Sequence, residues 1–153
     1  MIEFKTGDIF ESDMETLVNP VNCVGVMGGG LAAPFKKRYP ESFKGYMQWC
    51  KDKPTPGSSF SFCREFETDP VSGKKHNVIC LPTKLHWKDP SKIEYIESSL
   101  MLFCALQKSL YIRSIAFPAL GCGLGGLTWD EVKSVMIKHL EKLQIPVEIY
   151  EPR

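Results

Sequence analysis

The sequence lacks the features that most readily assign a chain to a functional class. No apolar run approaches the ~18 residues that a membrane-spanning helix needs. The six cysteines are scattered, with neither a CxxC pair nor a Cys/His cluster, so the spacing does not indicate a zinc site. The net charge is +1, from 19 basic and 18 acidic residues, which excludes a broad polybasic surface but not a local basic groove. Function must therefore be sought in a site.

Other absences concern organisation and compartment. The sequence shows no internal repeat, linker or low-complexity tract, and 153 residues suit one core. We therefore expect a single domain over 1–153. The first residues show no signal-peptide pattern, so we expect a cytoplasmic, monomeric protein with no membrane partner. Its cysteines are then expected to be free and mostly buried thiols.

The apolar pattern alternates between strands and helices. Amphipathic helical spacing at 31–51, 90–110 and 128–143 separates short apolar or alternating segments at 2–5, 15–22, 58–66, 77–82, 114–120 and 147–151. Apolar strands followed by amphipathic helices are typical of α/β proteins. The sequence predicts a three-layer α/β/α domain with a mixed, mostly parallel central sheet of about six strands.

Local signals predict where some elements begin and end. Pro40 predicts a break in the first helical segment. Asp89-Pro90 has the form of an N-cap followed by proline at the first helical position. Thr128 and Glu131 fit a capping box at the start of the last helix. The polar segment 68–77 is expected to be an exposed loop.

Two polar residues follow predicted strands, where open α/β sheets bind ligands. Asp8 lies after the first strand, and its carboxylate could accept a hydrogen bond from an exocyclic amine such as that of adenine; a turn aspartate fits equally. Lys84 follows the strand that ends at Pro82, where an apolar wall could turn it into a nucleophile or base; a solvated loop lysine is the alternative. His86 and Trp87 next to it could be rim, stacking or packing residues.

Two glycine-rich loops precede predicted helices. Gly28-Gly29-Gly30 lies before the first helix, and "GCGLGG", 121–126, lies before the last. Glycines let backbone N–H groups point at a phosphate, and a helix N-terminus favours an anion. Neither a P-loop motif nor a clean G-x-G-x-x-G is present. We expect the two loops to hold a diphosphate from two sides, although a flexible connector remains the alternative for 28–30.

Together these stretches resemble the macrodomain, the fold that binds ADP-ribose. The similar segments are "TGDIF", "VNPVNCVGVMGGGLAAPFKKRYP", "LPTKLHW", "FPALGCGLGGLTWDEV" and "IYEP", in that order. "PTKLHW" and "GCGLGGLTW" most resemble the macrodomains of DarG-type antitoxins, which remove ADP-ribose from thymidine in DNA. The related human terminal ADP-ribose glycohydrolase removes ADP-ribose from acidic protein side chains.

The resemblance implies a role for each motif. Asp8 and the backbone of Ile9 would receive the adenine, beside Tyr150. Asn22 would contact the distal ribose and Lys84 would be the catalytic lysine, so both are catalytic candidates. The loop residues that would wrap the distal ribose and the phosphates are Gly28, Gly29, Gly30, Leu31, Gly121, Cys122, Gly123, Leu124, Gly125 and Gly126. Neither a metal nor a redox cofactor is required.

Three departures qualify the resemblance. Gly125 stands where the human glycohydrolase has an aspartate that resolves the lysine adduct, which favours the antitoxin-like interpretation. Gly29 stands where many antitoxin relatives have a lysine that could contact a nucleic-acid strand. The additional domain of full antitoxins does not follow Arg153, so either an excised domain or a stand-alone protein fits.

The resemblance leaves three functions open. The first is an ADP-ribosyl glycohydrolase acting on ADP-ribosylated DNA, or less readily on protein, with the basic runs 36–38 and 74–75 as candidate phosphate contacts. The second is an ADP-ribose 1″-phosphate phosphatase, which should tolerate loss of Lys84. The third is a non-catalytic ADP-ribose-binding module. Fold alone does not decide among them.

Overall fold

The central feature of the fold is one six-stranded sheet. The structure is a computed structural model that describes residues 1–152; Arg153, the last residue of the predicted domain, lies outside them. The strands are β1 (Ile2–Lys5), β2 (Thr16–Val21), β3 (Ser61–Thr68), β4 (Lys75–Pro82), β5 (Ile115–Pro118) and β6 (Val147–Tyr150). The helices are α1 (Ala32–Arg38), α2 (Pro40–Cys50), α3 (Ile93–Leu106) and α4 (Trp129–Leu140), with a short 3₁₀ helix at Ile9–Glu11.

The strand order is β1-β6-β5-β2-β4-β3. The first five strands in this order, β1, β6, β5, β2 and β4, pair in parallel with their neighbours. The edge strand β3 pairs antiparallel with β4. The mixed, mostly parallel sheet predicted from the sequence is therefore confirmed. Pro40 separates α1 from α2 as expected, since it can begin a helix but cannot continue one.

The helices cover both faces of the sheet. Side chains alternate in direction along a strand, so Val18 and Ile79 pack with the apolar stripe of α3 and α4, around Phe103 and Met136. Their neighbours Leu17 and Val78 face the other way, toward the aromatic side chains of α1 and α2. Two cores separated by one sheet confirm the three-layer arrangement.

Because β1, β2, β4, β5 and β6 are parallel, their carboxyl ends meet at one edge. Backbone hydrogen bonds tie the segments that leave this edge to one another. Thr83 N donates to Val21 O over 2.9 Å, Cys23 N to Leu85 O over 3.0 Å, and Glu151 N to Lys5 O over 2.9 Å. The predicted site residues Asp8, Asn22, Lys84 and Tyr150 all lie on or directly after these strand ends.

The predicted start of the third helix is wrong. α3 begins at Ile93 with Lys92 as its N-cap residue, rather than at Asp89-Pro90. The cause is a tertiary contact: Ser91 is buried, and its N–H donates to the carbonyl oxygen of Gly125 over 3.0 Å. This bond holds the chain against the second glycine loop, so the helix begins only after Ser91.

The capping box at the last helix is only half right. Thr128 occupies the N-cap position of α4 with extended backbone, but its side chain makes no capping hydrogen bond within the described chain. The backbone bond from Val132 N to Thr128 O, 3.1 Å, closes the first turn instead.

The segment 68–77 is not simply an exposed loop. Its ends belong to β3 and β4, and Asp69 within the turn is fully buried. The Asp69 carboxylate accepts hydrogen bonds from Arg38 at 3.1 Å and from the Val71 N–H at 2.9 Å. A buried carboxylate needs such partners, and they fix the hairpin to the end of α1.

The cysteines also differ in part from expectation. All six are free, but only Cys23 and Cys80 are buried; the other four are half-buried. Within residues 1–152, no helix combines the length and the apolar character needed to cross a bilayer.

Candidate active site

A cavity of about 430 Å³ opens at the carboxyl ends of β2, β4 and β5. Its lining includes Asn22 directly after β2, residues of the loops 28–31 and 121–125, and Thr83, Lys84 and Trp87. The structure thus brings both predicted catalytic residues and both glycine loops to one cavity.

A second cavity of about 440 Å³ lies beside the first. Its lining includes Gly7–Phe10, Cys122 and Tyr150–Pro152. The two cavities share four lining residues: Leu31, Pro118, Ala119 and Gly123. They therefore form one continuous cleft, with Asp8 and Tyr150 toward one end and Lys84 toward the other, and each half has the size of a small-molecule pocket.

Asn22 holds the turn that follows β2. Its Nδ2 donates to Val26 O over 2.7 Å, and its Oδ1 accepts from Val24 N over 3.0 Å. Tyr46 of α2 donates its hydroxyl hydrogen toward both Asn22 Oδ1, 2.8 Å, and Asn22 O, 2.9 Å. The amide is thus fixed in one orientation at the cavity wall, with its oxygen already used inside the protein.

Lys84 is half-buried at the cavity wall. Its Nζ lies 3.5 Å from the carbonyl oxygen of Trp87, a long hydrogen bond within its own turn. No acidic side chain within residues 1–152 forms an ion pair with Lys84, although six other lysine and arginine side chains form such pairs. The ammonium is therefore free to interact with a bound molecule.

The second glycine loop is tightly folded against the protein. Gly121 and Gly126 have φ of +71° and +81°, a conformation that side chains other than glycine rarely adopt. A Cβ on Gly125 would lie 2.5 Å from the carbonyl oxygen of Gly121 and would clash with the Ser91 hydroxyl. A Cβ on Gly123, by contrast, would meet no protein atom within 4 Å. Crowding by protein atoms explains why residue 125 is glycine, whereas the missing side chain of Gly123 leaves open space in the cleft.

The first glycine loop faces Leu124 across the cleft. A Cβ on Gly29 would lie 2.9 Å from Leu124 Cδ1, and one on Gly30 would lie 3.3 Å from it. Leu124 itself is 73% exposed, so its side chain extends over the opposite loop rather than into the core. The two loops thus approach each other closely, and the backbone of the first loop can come near a molecule held between them.

The other end of the cleft contains Asp8, Ile9 and Tyr150. Asp8 caps the 3₁₀ helix, because its Oδ1 accepts from Phe10 N over 3.0 Å, as the turn-aspartate interpretation predicts. Its carboxylate still lines the second cavity. Burial raises the pKa of the Tyr150 phenol to about 12, so it remains a neutral hydrogen-bond donor.

Two residues of the site were not found from the sequence. Ser91 lines the first cavity with a buried hydroxyl that has no hydrogen-bond partner within the described chain. Tyr46 orients Asn22 from a different element, α2. Neither belongs to a motif, so only the tertiary structure reveals them. Cys122 lines the second cavity, and burial raises the pKa of its thiol to about 11, so it is not a thiolate at neutral pH.

Comparison with known proteins gives a consistent set of relatives. Residues 18–136 match the family model described as Macro domain. The chain is 42% identical to a DNA ADP-ribosyl glycohydrolase of Mycobacterium tuberculosis over 99% of its own length and 42% of the relative's. It is 41% identical to the protein of that name from Thermus aquaticus, again over 99% of its length and 41% of the relative's. The chain thus spans about two fifths of these relatives.

Solved structures agree with these matches. The macrodomain of Mycobacterium tuberculosis DarG superposes with a TM-score of 0.90 at 41% identity, covering 100% of this chain and 99% of that one. Thermosipho africanus DarTG in complex with ADP-ribose gives a TM-score of 0.90 at 39% identity, covering 99% of this chain and 41% of that one. A more distant relative, an ADP-ribose 1″-phosphate phosphatase of Lodderomyces elongisporus, is 27% identical over 97% of this chain and 98% of its own length.

Proposed function

The chain belongs to the Macro domain family, and from this premise we propose that it is an ADP-ribosyl glycohydrolase acting on ADP-ribosylated thymidine in DNA. The observation that carries the proposal is the position of Lys84 at one end of a cleft lined by both glycine loops. The names of the relatives that are 41–42% identical across nearly the whole chain support the reaction and the acceptor.

In this proposal, ADP-ribose occupies the whole length of the cleft. In our proposal the adenine lies in the second cavity, near Asp8 and Tyr150. The diphosphate lies over the shared wall, where backbone N–H groups of the glycine loops donate to it. The distal ribose then lies in the first cavity, between Asn22 and Lys84. Holding the diphosphate fixes the reacting carbon beside the lysine before chemistry begins.

The proposed reaction is a hydrolysis. The bond between the ribose C1″ and the base nitrogen breaks, and its electron pair goes to the base, which takes up a proton from the Lys84 ammonium. A water oxygen then bonds to C1″, and the proton that it loses returns to the Lys84 amine. Lys84 thus acts as a general acid, a role typically worth about 10²–10⁴-fold in rate.

The fold of the second glycine loop supports a mechanism that uses no acidic side chain from that loop. An aspartate at position 125 would have to displace the Ser91 hydroxyl and the carbonyl oxygen of Gly121. The carboxylate that resolves a lysine adduct in the human glycohydrolase therefore has no room here. Because Lys84 acts in this proposal as a proton donor and not as a nucleophile, no covalent lysine adduct forms, and borohydride treatment during turnover should yield no protein–ADP-ribose conjugate.

The central test compares wild type with Lys84→Ala on a single-stranded oligonucleotide that contains one ADP-ribosylated thymidine. We expect kcat/KM for release of ADP-ribose to fall at least about 100-fold, while ADP-ribose itself still binds. Lys108→Ala, which removes an exposed lysine that lines neither cavity, is the matched control and should behave like wild type. Equal release by wild type and Lys84→Ala, or none by wild type, would refute the proposal.

A phosphatase acting on ADP-ribose 1″-phosphate is the second candidate, because the Lodderomyces elongisporus relative carries that name. It would use the same cleft but should not require Lys84. Phosphate release from the 1″-phosphate that is equal in wild type and Lys84→Ala would favour it over the glycohydrolase.

A further inference from the structure

Trp87 is an exposed aromatic side chain at the mouth of the first cavity. It lines that cavity and is nevertheless 48% exposed. The two other tryptophans are half-buried and use their indole N–H groups inside the protein, Trp49 with Ser59 and Trp129 with Glu151. Moving an exposed indole out of water is energetically favourable. The exposure of Trp87 beside a cleft therefore indicates a surface that a bound molecule covers.

The turn that carries Trp87 is held in place by the backbone. The hydrogen bond between Cys23 N and Leu85 O joins it to the end of β2. His86 then fixes the residues that follow: its Nδ1 accepts from Lys88 N over 3.2 Å, and its carbonyl oxygen accepts from Asp89 N over 3.1 Å. The indole is therefore presented on a pre-formed turn, which lowers the entropic cost of binding to it.

One lysine ammonium lies over the indole, and a second lies near the backbone of the same residue. Lys88 Nζ lies 5.2 Å from the ring centroid, and Lys84 Nζ lies near the Trp87 carbonyl. The His86 ring is nearly parallel to the indole, with centroids 5.8 Å apart. One acidic side chain, Asp89, belongs to the same turn. An exposed aromatic ring with positive charge beside it is the combination with which proteins bind single-stranded nucleic acid.

Resting on the proposed function, we propose that Trp87 stacks against the base next to the ADP-ribosylated base of a single strand, while Lys88 contacts the phosphate between them. With the distal ribose in the first cavity, the base attached to it and the neighbouring nucleotide would lie toward the cavity mouth, where Trp87 is exposed. An acidic peptide could use the lysines, but it would leave the indole without a flat partner, so the surface favours nucleic acid over protein.

The kinetic test uses two oligonucleotides with one ADP-ribosylated thymidine each, identical except that the second has abasic sites on both sides of it. Wild type should show a kcat/KM on the order of tenfold higher for the intact strand, since stacking is sequence-tolerant but needs a base. Trp87→Ala should reduce this ratio to about one, and Trp87→Phe should keep much of it. Phe66→Ala removes another aromatic, 51% exposed and outside both cavities, and should keep the wild-type ratio.

A ratio in Trp87→Ala equal to that of wild type would overturn the stacking proposal without touching the glycohydrolase proposal. So would a wild-type ratio of one. A preference for ADP-ribosylated peptides over both strands that is lost in Trp87→Ala would assign the surface to protein acceptors and also overturn it.

A binding test keeps the proposal falsifiable even if no substrate is hydrolysed. Unmodified single-stranded oligothymidylate should quench tryptophan emission of wild type, whereas an abasic strand of equal length should not. Trp87→Phe should bind the oligothymidylate with similar affinity but lose the quenching, because Phe preserves an aromatic surface and removes the reporting indole. Quenching that persists in Trp87→Phe, or no binding by wild type, would contradict a stacking role.

Discussion

At the scale of single residues, two glycines of one loop have different physical reasons to be glycine. Gly125 is enclosed by protein atoms, with the carbonyl oxygen of Gly121 2.5 Å from the position of an added Cβ, whereas Gly123 faces open space in the cleft. Sequence reasoning treated the glycines of 121–126 as one cradle. Only the fold separates those that close packing requires from those that a ligand would require.

This difference predicts that alanine at position 125 reduces stability, whereas alanine at position 123 reduces ADP-ribose binding. Gly125→Ala should lower the free energy of unfolding by about 1–3 kcal/mol, because a rigid backbone must move. Gly123→Ala should leave stability unchanged but weaken ADP-ribose binding, because its methyl group enters the shared wall of the two cavities. Thermal unfolding and calorimetry measure the two effects separately. Wild-type stability of Gly125→Ala would show that the loop is flexible enough to absorb a side chain, and destabilisation by Gly123→Ala would show that this position is not open.

Asn22 gives a second prediction at this scale. Tyr46→Phe removes the hydroxyl that binds Asn22 Oδ1 and O, both inside the protein. Leaving the Asn22 carbonyl oxygen without this partner typically costs about 1–3 kcal/mol. The side-chain amide, then held only by Val24 and Val26, is less firmly oriented, which should reduce kcat on ADP-ribosylated DNA more than the affinity for ADP-ribose. Tyr111→Phe, at an exposed tyrosine, is the control. Wild-type stability and kcat in Tyr46→Phe would contradict a positioning role.

At the scale of secondary-structure elements, local sequence patterns predicted which helices and strands exist better than they predicted where each one begins and ends. The break at Pro40 is confirmed, since proline acts through its own backbone. The start of α3 was wrong because the bond between Ser91 and Gly125 joins segments 34 positions apart, which no local signal contains. The β3–β4 hairpin was missed for a similar reason: the sequence around Asp69 is typical of an exposed turn, but its hydrogen bond with Arg38 of α1 holds the Asp69 carboxylate in the interior.

The hairpin also predicts a pH dependence of stability. His76 of β4 is buried, with Nε2 donating to Ser12 O over 2.8 Å and the Tyr39 hydroxyl donating to Nδ1 over 2.7 Å. Burial lowers the pKa of His76 below its ordinary value of 6.5. The unfolded chain therefore binds a proton more readily than the folded one, so stability is full above about pH 6.5 and falls as the pH decreases.

Urea unfolding between pH 7.5 and pH 5 measures this effect. The free energy of unfolding of wild type should decrease toward pH 5, with a contribution from His76 of at most about 1.4 kcal/mol per pH unit. His76→Gln should be less stable at pH 7.5 but show a smaller decrease. A variant whose pH dependence matches that of wild type would exclude His76 as the cause.

At the scale of the whole molecule, the candidate site follows from topology. Five parallel strands bring the segments after β1, β2, β4, β5 and β6 to one edge, although Asp8 and Tyr150 are 142 residues apart in the sequence. The mostly parallel sheet and the rule that ligands lie at the carboxyl ends of its strands allowed this edge to be predicted. The strand order and the division into two joined cavities depend on pairing between strands far apart in the sequence. No local sequence pattern indicates that pairing, so neither feature could be predicted.

The structure of the complex with ADP-ribose tests the central claim most directly. The account predicts one molecule per chain that spans both cavities, with its adenine beside Asp8 and Tyr150, its diphosphate between the two glycine loops and its outer ribose beside Lys84. Binding elsewhere, a reversed molecule with its adenine beside Lys84, or an empty cleft at saturating ADP-ribose would contradict it.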